Sequence, residues 1–116
     1  MKRLVALAFI AVALVGCETA KTARTYVDVE TLPEYGAHQR CLGRQTAIYS
    51  RAAGSPLELG IIASAACNST RYALETALAK VNGPVYAHAF TGTLKKEEAT
   101  MIAGVIAKVK AGQDPF

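Results

Sequence analysis

Hydrophobic and polar positions divide this 116-residue chain into three regimes. Leu4 to Val15 runs without one charged or hydrogen-bonding side chain. Glu18 to about Tyr35 is rich in threonine and charge, with few large apolar residues. Beyond residue 38 the apolar residues recur at helical spacing. Residues 39–53, QRCLGRQTAIYSRAA, carry Cys41, Leu42, Ile48, Tyr49 and Ala52 in helical phase. Gly54 supplies the stop, because glycine takes the left-handed C-terminal conformation cheaply. Ser55-Pro56-Leu57-Glu58 opens the next helix: serine caps free amides, proline is preorganised at the first position, and glutamate completes a capping box. That second helix is expected from Pro56 to about Val81, with Leu57, Ile61, Leu74, Leu78 and Val81 on its apolar side. Gly60, Ala63 and Ala66 suit close approach to a neighbour. Cys67-Asn68-Ser69-Thr70 can kink or interrupt it, since these side chains compete with the backbone. Asn82-Gly83-Pro84 is a firm break.

Val85 to Thr91 alternates small and aromatic residues, so Tyr86, His88 and Phe90 would share one side of a strand. This segment can pair with Tyr26 to Thr31, and either stretch reads equally well as extended linker. The last helix is expected from about Leu94 to Ala111, capped by Thr93. Leu94, Met101, Ile102, Val105, Ile106 and Val109 form its apolar stripe, and Gly112 its stop. The expected fold class is mainly α: a disulfide-stapled helical hairpin plus a third, C-terminal helix, with room for one short two-stranded pairing.

Met1-Lys2-Arg3 and the apolar run form the positive and hydrophobic parts of an export signal. Twelve residues of helix span about 18 Å, short of the roughly 20 apolar residues that cross a bilayer core. Leu14-Val15-Gly16-Cys17 resembles the lipobox of bacterial lipoproteins. The resemblance covers residues 1–19. It implies diacylglycerol on the Cys17 thiol, cleavage after Gly16 and acylation of the new amino terminus, palmitate being the usual kind of chain. Glu18, rather than an aspartate, implies sorting to the outer membrane, facing the periplasm. The expected organisation is a signal peptide at 1–16, a lipidated cysteine and tether at 17–37, a helical domain at 38–112 and a tail at 113–116. Several acyl chains anchor stably where one is marginal.

Three cysteines leave two once Cys17 is assigned to lipid. Cys41 lies 13 residues before Gly54 and Cys67 lies 13 after it. In a hairpin turning at Gly54-Ser55 the two sit at equal height, in an oxidising compartment. A Cys41–Cys67 disulfide is expected, with Gly60 and Ala63 permitting the close approach that a bridge requires.

Removing Lys2 and Arg3 leaves eleven basic and nine acidic side chains, a formal charge of +2 against +4 for the precursor. No basic run exceeds Lys95-Lys96 and there is no tryptophan, which argues against nucleic-acid binding. His38 is expected in solvent near a turn, and His88 half-buried beside Tyr86. Neither has an acidic or cysteine partner at ligand spacing, so no metal or cofactor is expected. No nucleophile elbow, Walker pattern or glycine-rich phosphate loop occurs. Glu97-Glu98 reads as a solvated face, and Asn68-Ser69-Thr70 as an incidental glycosylation match. The expected function is non-catalytic: a lipid-anchored envelope protein binding another envelope protein or a cell-wall component, with Arg44, Tyr49, Arg51 and Tyr72 as candidate contacts. The alternative is an inhibitor or immunity lipoprotein directed at a periplasmic hydrolase or toxin. An enzyme built on Tyr86, His88 and glutamates would require those groups to meet in a cleft.

Overall fold

The structure, a computed structural model, describes residues 25–115. The export signal, the lipobox and Cys17 lie outside the described residues. Val29–Thr31 form one 3-10 turn, followed by α1 (Pro33–Tyr49), α2 (Pro56–Ala65), α3 (Asn68–Asn82) and α4 (Pro84–Lys110). Among the described residues there is no strand, and no helix is long and apolar enough to cross a membrane.

Local chemistry explains each boundary. Leu32 precedes proline and is held extended, at φ −79° and ψ 132°, so α1 starts at Pro33. That start lies inside the stretch expected to be tether, and Val29 is buried, so the fold begins well before residue 38. α1 ends at Tyr49, short of the expected stop, and Gly54 turns the chain beyond it at φ 135°. Ser55 caps α2 as expected: its hydroxyl accepts from the Glu58 amide and donates to the Glu58 carboxylate.

The expected helix over 56–81 is two helices. Its interruption falls at Ala66-Cys67, where Cys67 leaves helical geometry at φ −103° and ψ 17°. Gly83, at φ 91°, separates α3 from α4, and Pro84 opens α4.

The strand reading of 85–91 is corrected: these residues form the first two turns of α4, a 27-residue helix about 40 Å long. The alternation of Tyr86, His88 and Phe90 concealed a second periodicity. Tyr86, Phe90 and Leu94 recur every four residues and pack on one apolar cluster. Ala87, Thr91, Glu98, Ile102 and Ile106 form the buried line of the same helix. Two of those five are polar, which broke the apolar pattern.

The interior comprises two apolar clusters. One gathers Cys41, Leu42, Leu59, Ala63, Cys67, Ile102 and Ile106. The other gathers Val29, Leu74, Leu78 and Ala87, covered by Leu32, Tyr35, Tyr86, Phe90 and Leu94. The Cys41–Cys67 disulfide joins α1 to the start of α3 with Cα atoms 5.9 Å apart. Gly60 on α2 meets α4, while Ala63 shares a cluster with Cys41 and Leu42 of α1. A Cβ on Gly60 would lie 2.5 Å from the Ala99 carbonyl oxygen and 2.9 Å from the Ala103 nitrogen, both main-chain atoms.

This packing sets two expectations for stability. Gly60→Ala is expected to cost about 1–3 kcal/mol, because α4 backbone must shift to admit the methyl group. Replacing Cys41 and Cys67 together by serine is expected to cost about 3 kcal/mol in the chain-entropy picture. Urea unfolding read by circular dichroism measures both.

Candidate functional site

Between the two apolar clusters lies a polar layer to which every helix contributes. His38 on α1, Ser64 on α2, Arg71 on α3 and Glu98 on α4 are all buried. Each is in phase with the apolar residues of its own helix: His38 with Cys41 and Leu42, Arg71 with Leu74 and Leu78, Glu98 with Ile102 and Ile106. The helical register that fills the clusters therefore forces these four side chains together.

Glu98 is the hub. Its Oε1 lies 2.6 Å from His38 Nε2 and its Oε2 lies 2.6 Å from Arg71 Nη2. Arg71 Nη2 also donates to the Ser64 hydroxyl at 2.9 Å and the Ser64 carbonyl at 3.0 Å, while Nη1 donates to Asn68 Oδ1. Arg71 Nε, also buried, has no hydrogen-bond partner among the described residues. Burial pushes the Glu98 carboxyl up. The hydrogen bonds from His38 and Arg71, with their charges, outweigh burial and hold it below its ordinary value.

On the other side of the imidazole, His38 Nδ1 lies 2.8 Å from Thr70 Oγ1. Thr70, His38 and Glu98 thus form a hydroxyl–imidazole–carboxylate chain, the order of groups in a nucleophilic relay. Two features favour a structural use. His38 and Glu98 are 0% and 1% exposed. The Thr70 hydroxyl is also within bonding distance, 2.9 Å, of the Cys67 carbonyl, to which it can donate instead. Thr70 alone of the three reaches the surface, in a depression it shares with Ala37, Arg40, Gly43 and Arg44.

These positions correct the sequence reading at two residues. His38 is fully buried rather than solvated, and Glu98 is sealed within the fold rather than on a solvated face with Glu97. His88 differs as well: its side chain is 85% exposed, lying 3.2 Å from Glu75 Oε1. Hydrogen bonds from Thr91 and then His88 hold the Glu75 carboxyl below its usual value. Among the described residues, no three of the histidine, cysteine, aspartate and glutamate side chains gather as a metal site.

The four candidate contacts do not form one site. Arg44 and Arg51 are exposed on α1 and in the turn after it, and Tyr72 is exposed on α3. Tyr49 is half-buried and packs on the disulfide cluster. No hydrogen bond, ion pair or ring contact joins these four. Sequence reasoning missed Arg40, which stands one helical turn before Arg44. Neither arginine has an ion-pair partner among the described residues. Between them Gly43 has open space above its Cα. On its other flank Gly43 borders an apolar groove of about 260 Å³ lined by Gln39, Leu42, Thr46, Met101, Ile102 and Val105. Comparison with protein-family models, curated proteins and solved structures finds no match to this chain.

The polar layer carries a pH dependence. Because the folded Glu98 pKa is lowered, its contribution is fully present above the unfolded carboxylate range and is lost as pH falls through the folded value. Stability is expected to fall below about pH 4.5. Glu98→Gln is expected to cost about 3–5 kcal/mol at neutral pH, because it leaves the buried Arg71 guanidinium without its counter-charge. The same change flattens the acid limb. Urea titrations from neutral to acid pH measure both effects.

Proposed function

We propose that this is a non-catalytic, lipid-anchored envelope protein whose α1 face binds an acidic segment of another envelope protein. The observation that carries this reading is Gly43 with its surroundings. A mid-helix glycine costs about 0.5–1 kcal/mol relative to alanine, and nothing within the fold occupies the space it leaves. Arg40 and Arg44 flank it four residues apart, a like-charge spacing that disfavours the helix slightly. The adjoining groove adds apolar surface from Met101, Ile102 and Val105. An approaching backbone can sit over Gly43, with carboxylates toward the arginines and apolar side chains in the groove.

The anchor follows from the lipobox resemblance, which implies a bacterial envelope, at the outer membrane and facing the periplasm. Rim charges of this kind act mainly on encounter rate and choice of partner.

The test uses a photo-crosslinking residue at Gln39 in intact cells. One discrete adduct is expected, and Arg40→Glu with Arg44→Glu is expected to abolish it without changing thermal stability. Undiminished crosslinking in the double variant would overturn the reading. Gly43→Ala is expected to raise stability by about 0.5–1 kcal/mol while weakening the adduct.

A further inference from the structure

The place where the chain enters the fold differs from the rest of the surface. The Val27 amide donates to Asn82 Oδ1 at 2.7 Å, and Asn82 Nδ2 donates back to the Val27 carbonyl at 2.9 Å. Asn82 is buried at the end of α3, so this pair pins the entering stretch of chain to the α3–α4 corner. Tyr26 stacks on Tyr86 with centroids 4.8 Å apart, and Tyr86 stacks on Phe90 at 6.2 Å. Tyr26, Pro84 and Val85 share one depression, and Lys80 and Val81 border Tyr26 in another. Val85 is 83% exposed, more than any other large apolar residue described. Tyr26, Val27 and Val81 are exposed as well.

Eight peptide links separate Cys17 from Thr25. Eight residues reach at most about 29 Å however they are arranged. A lipid on Cys17 therefore keeps Thr25, at this corner, within about 29 Å of its attachment point, so the corner can reach the bilayer surface. We propose that the corner formed by Tyr26, Val27, Lys80, Val81 and Val85 docks on the phospholipid surface to which Cys17 attaches the chain. The proposal rests on the lipid-anchor reading and adds the orientation of the domain.

Each side chain suits that surface. Tyrosine combines an apolar ring with a polar hydroxyl and is enriched at membrane interfaces. Valine gains by leaving water, and Lys80 faces anionic headgroups. The tether makes the contact intramolecular, so a small patch suffices. The groove beside Gly43 lies roughly 25–30 Å farther along α4. Docking by the corner leaves that face free for a partner.

The chain has no tryptophan, so a single introduced one reports its own surroundings. Val85→Trp and, as control, Ile48→Trp are each introduced into the full precursor, exported in a bacterium and purified from membranes. The mature protein is reconstituted into phosphatidylethanolamine–phosphatidylglycerol vesicles containing bromolipid, and its intact mass reports lipid on Cys17. Bromolipid is expected to quench the indole of the Val85→Trp protein several-fold more strongly than that of the Ile48→Trp protein. Blue-shifted emission is expected in the Val85→Trp protein only. Equal quenching in protein whose mass carries the lipid would overturn the docked corner and leave the anchor intact. A mass without lipid would overturn the anchor, and the docked corner with it.

Discussion

The Glu98 carboxylate is the point on which the arrangement of the four helices depends. It lies in the middle of the longest helix and is almost wholly removed from water. A carboxylate there is tolerable only if cations and donors reach it from neighbouring helices. Arg71 supplies a cation from α3 and His38 a ring nitrogen from α1, and the Ser64 hydroxyl on α2, donating to Glu98 Oε2 at 3.5 Å, completes the set. Sliding any one helix by a turn would withdraw its partner and leave charge buried without compensation. Apolar side chains on either side would tolerate such a slip far better, because dispersion and burial are not directional. The layer therefore fixes register, and the apolar clusters above and below it supply the bulk of the cohesion.

The disulfide and Gly60 act on the same arrangement from one side. Cys41 and Cys67 join α1 to the beginning of α3, next to Thr70 and His38. Gly60 lets the α2 backbone come against α4 near Ala99 and Ala103, the first of them adjacent to Glu98. A domain this small has a limited apolar core, and a covalent link with one tight helix crossing compensates for that. The surface offers two features of a different kind. At one end, the entry corner gathers exposed apolar residues around Tyr26. On α1, Gly43 opens a gap between two arginines.

Much of the fold was legible from individual residues. Gly54, Ser55, Pro56 and Glu58 announced the α1–α2 turn through local geometry alone, and the spacing of Cys41 and Cys67 about that turn predicted their bond. The alternation of Tyr86, His88 and Phe90 imitated a strand, so the last helix was expected from Leu94 although it begins at Pro84. Glu98 and His38 were misplaced for another reason: without its partners on other helices, a lone polar residue reads as solvated. The phase of these residues with Ile102, Leu42 and Leu74 was present in the sequence. It acquires meaning only when several helices show a polar residue in phase at once.

The sequence by itself determined what depends on neighbours along the chain. These are the Ser55 cap of α2 and the turns at Gly54, Asn82-Gly83-Pro84 and Gly112. Tertiary structure alone decided which polar residues are buried and that Gly60 faces α4. It also decided that Arg40, Gly43, Arg44 and Thr70 meet at one place on the surface. The physical reason is the range of the forces. Capping and backbone preferences act within a few residues. Desolvation and charge pairing depend on what other helices bring into contact, and sequence distance says little about that.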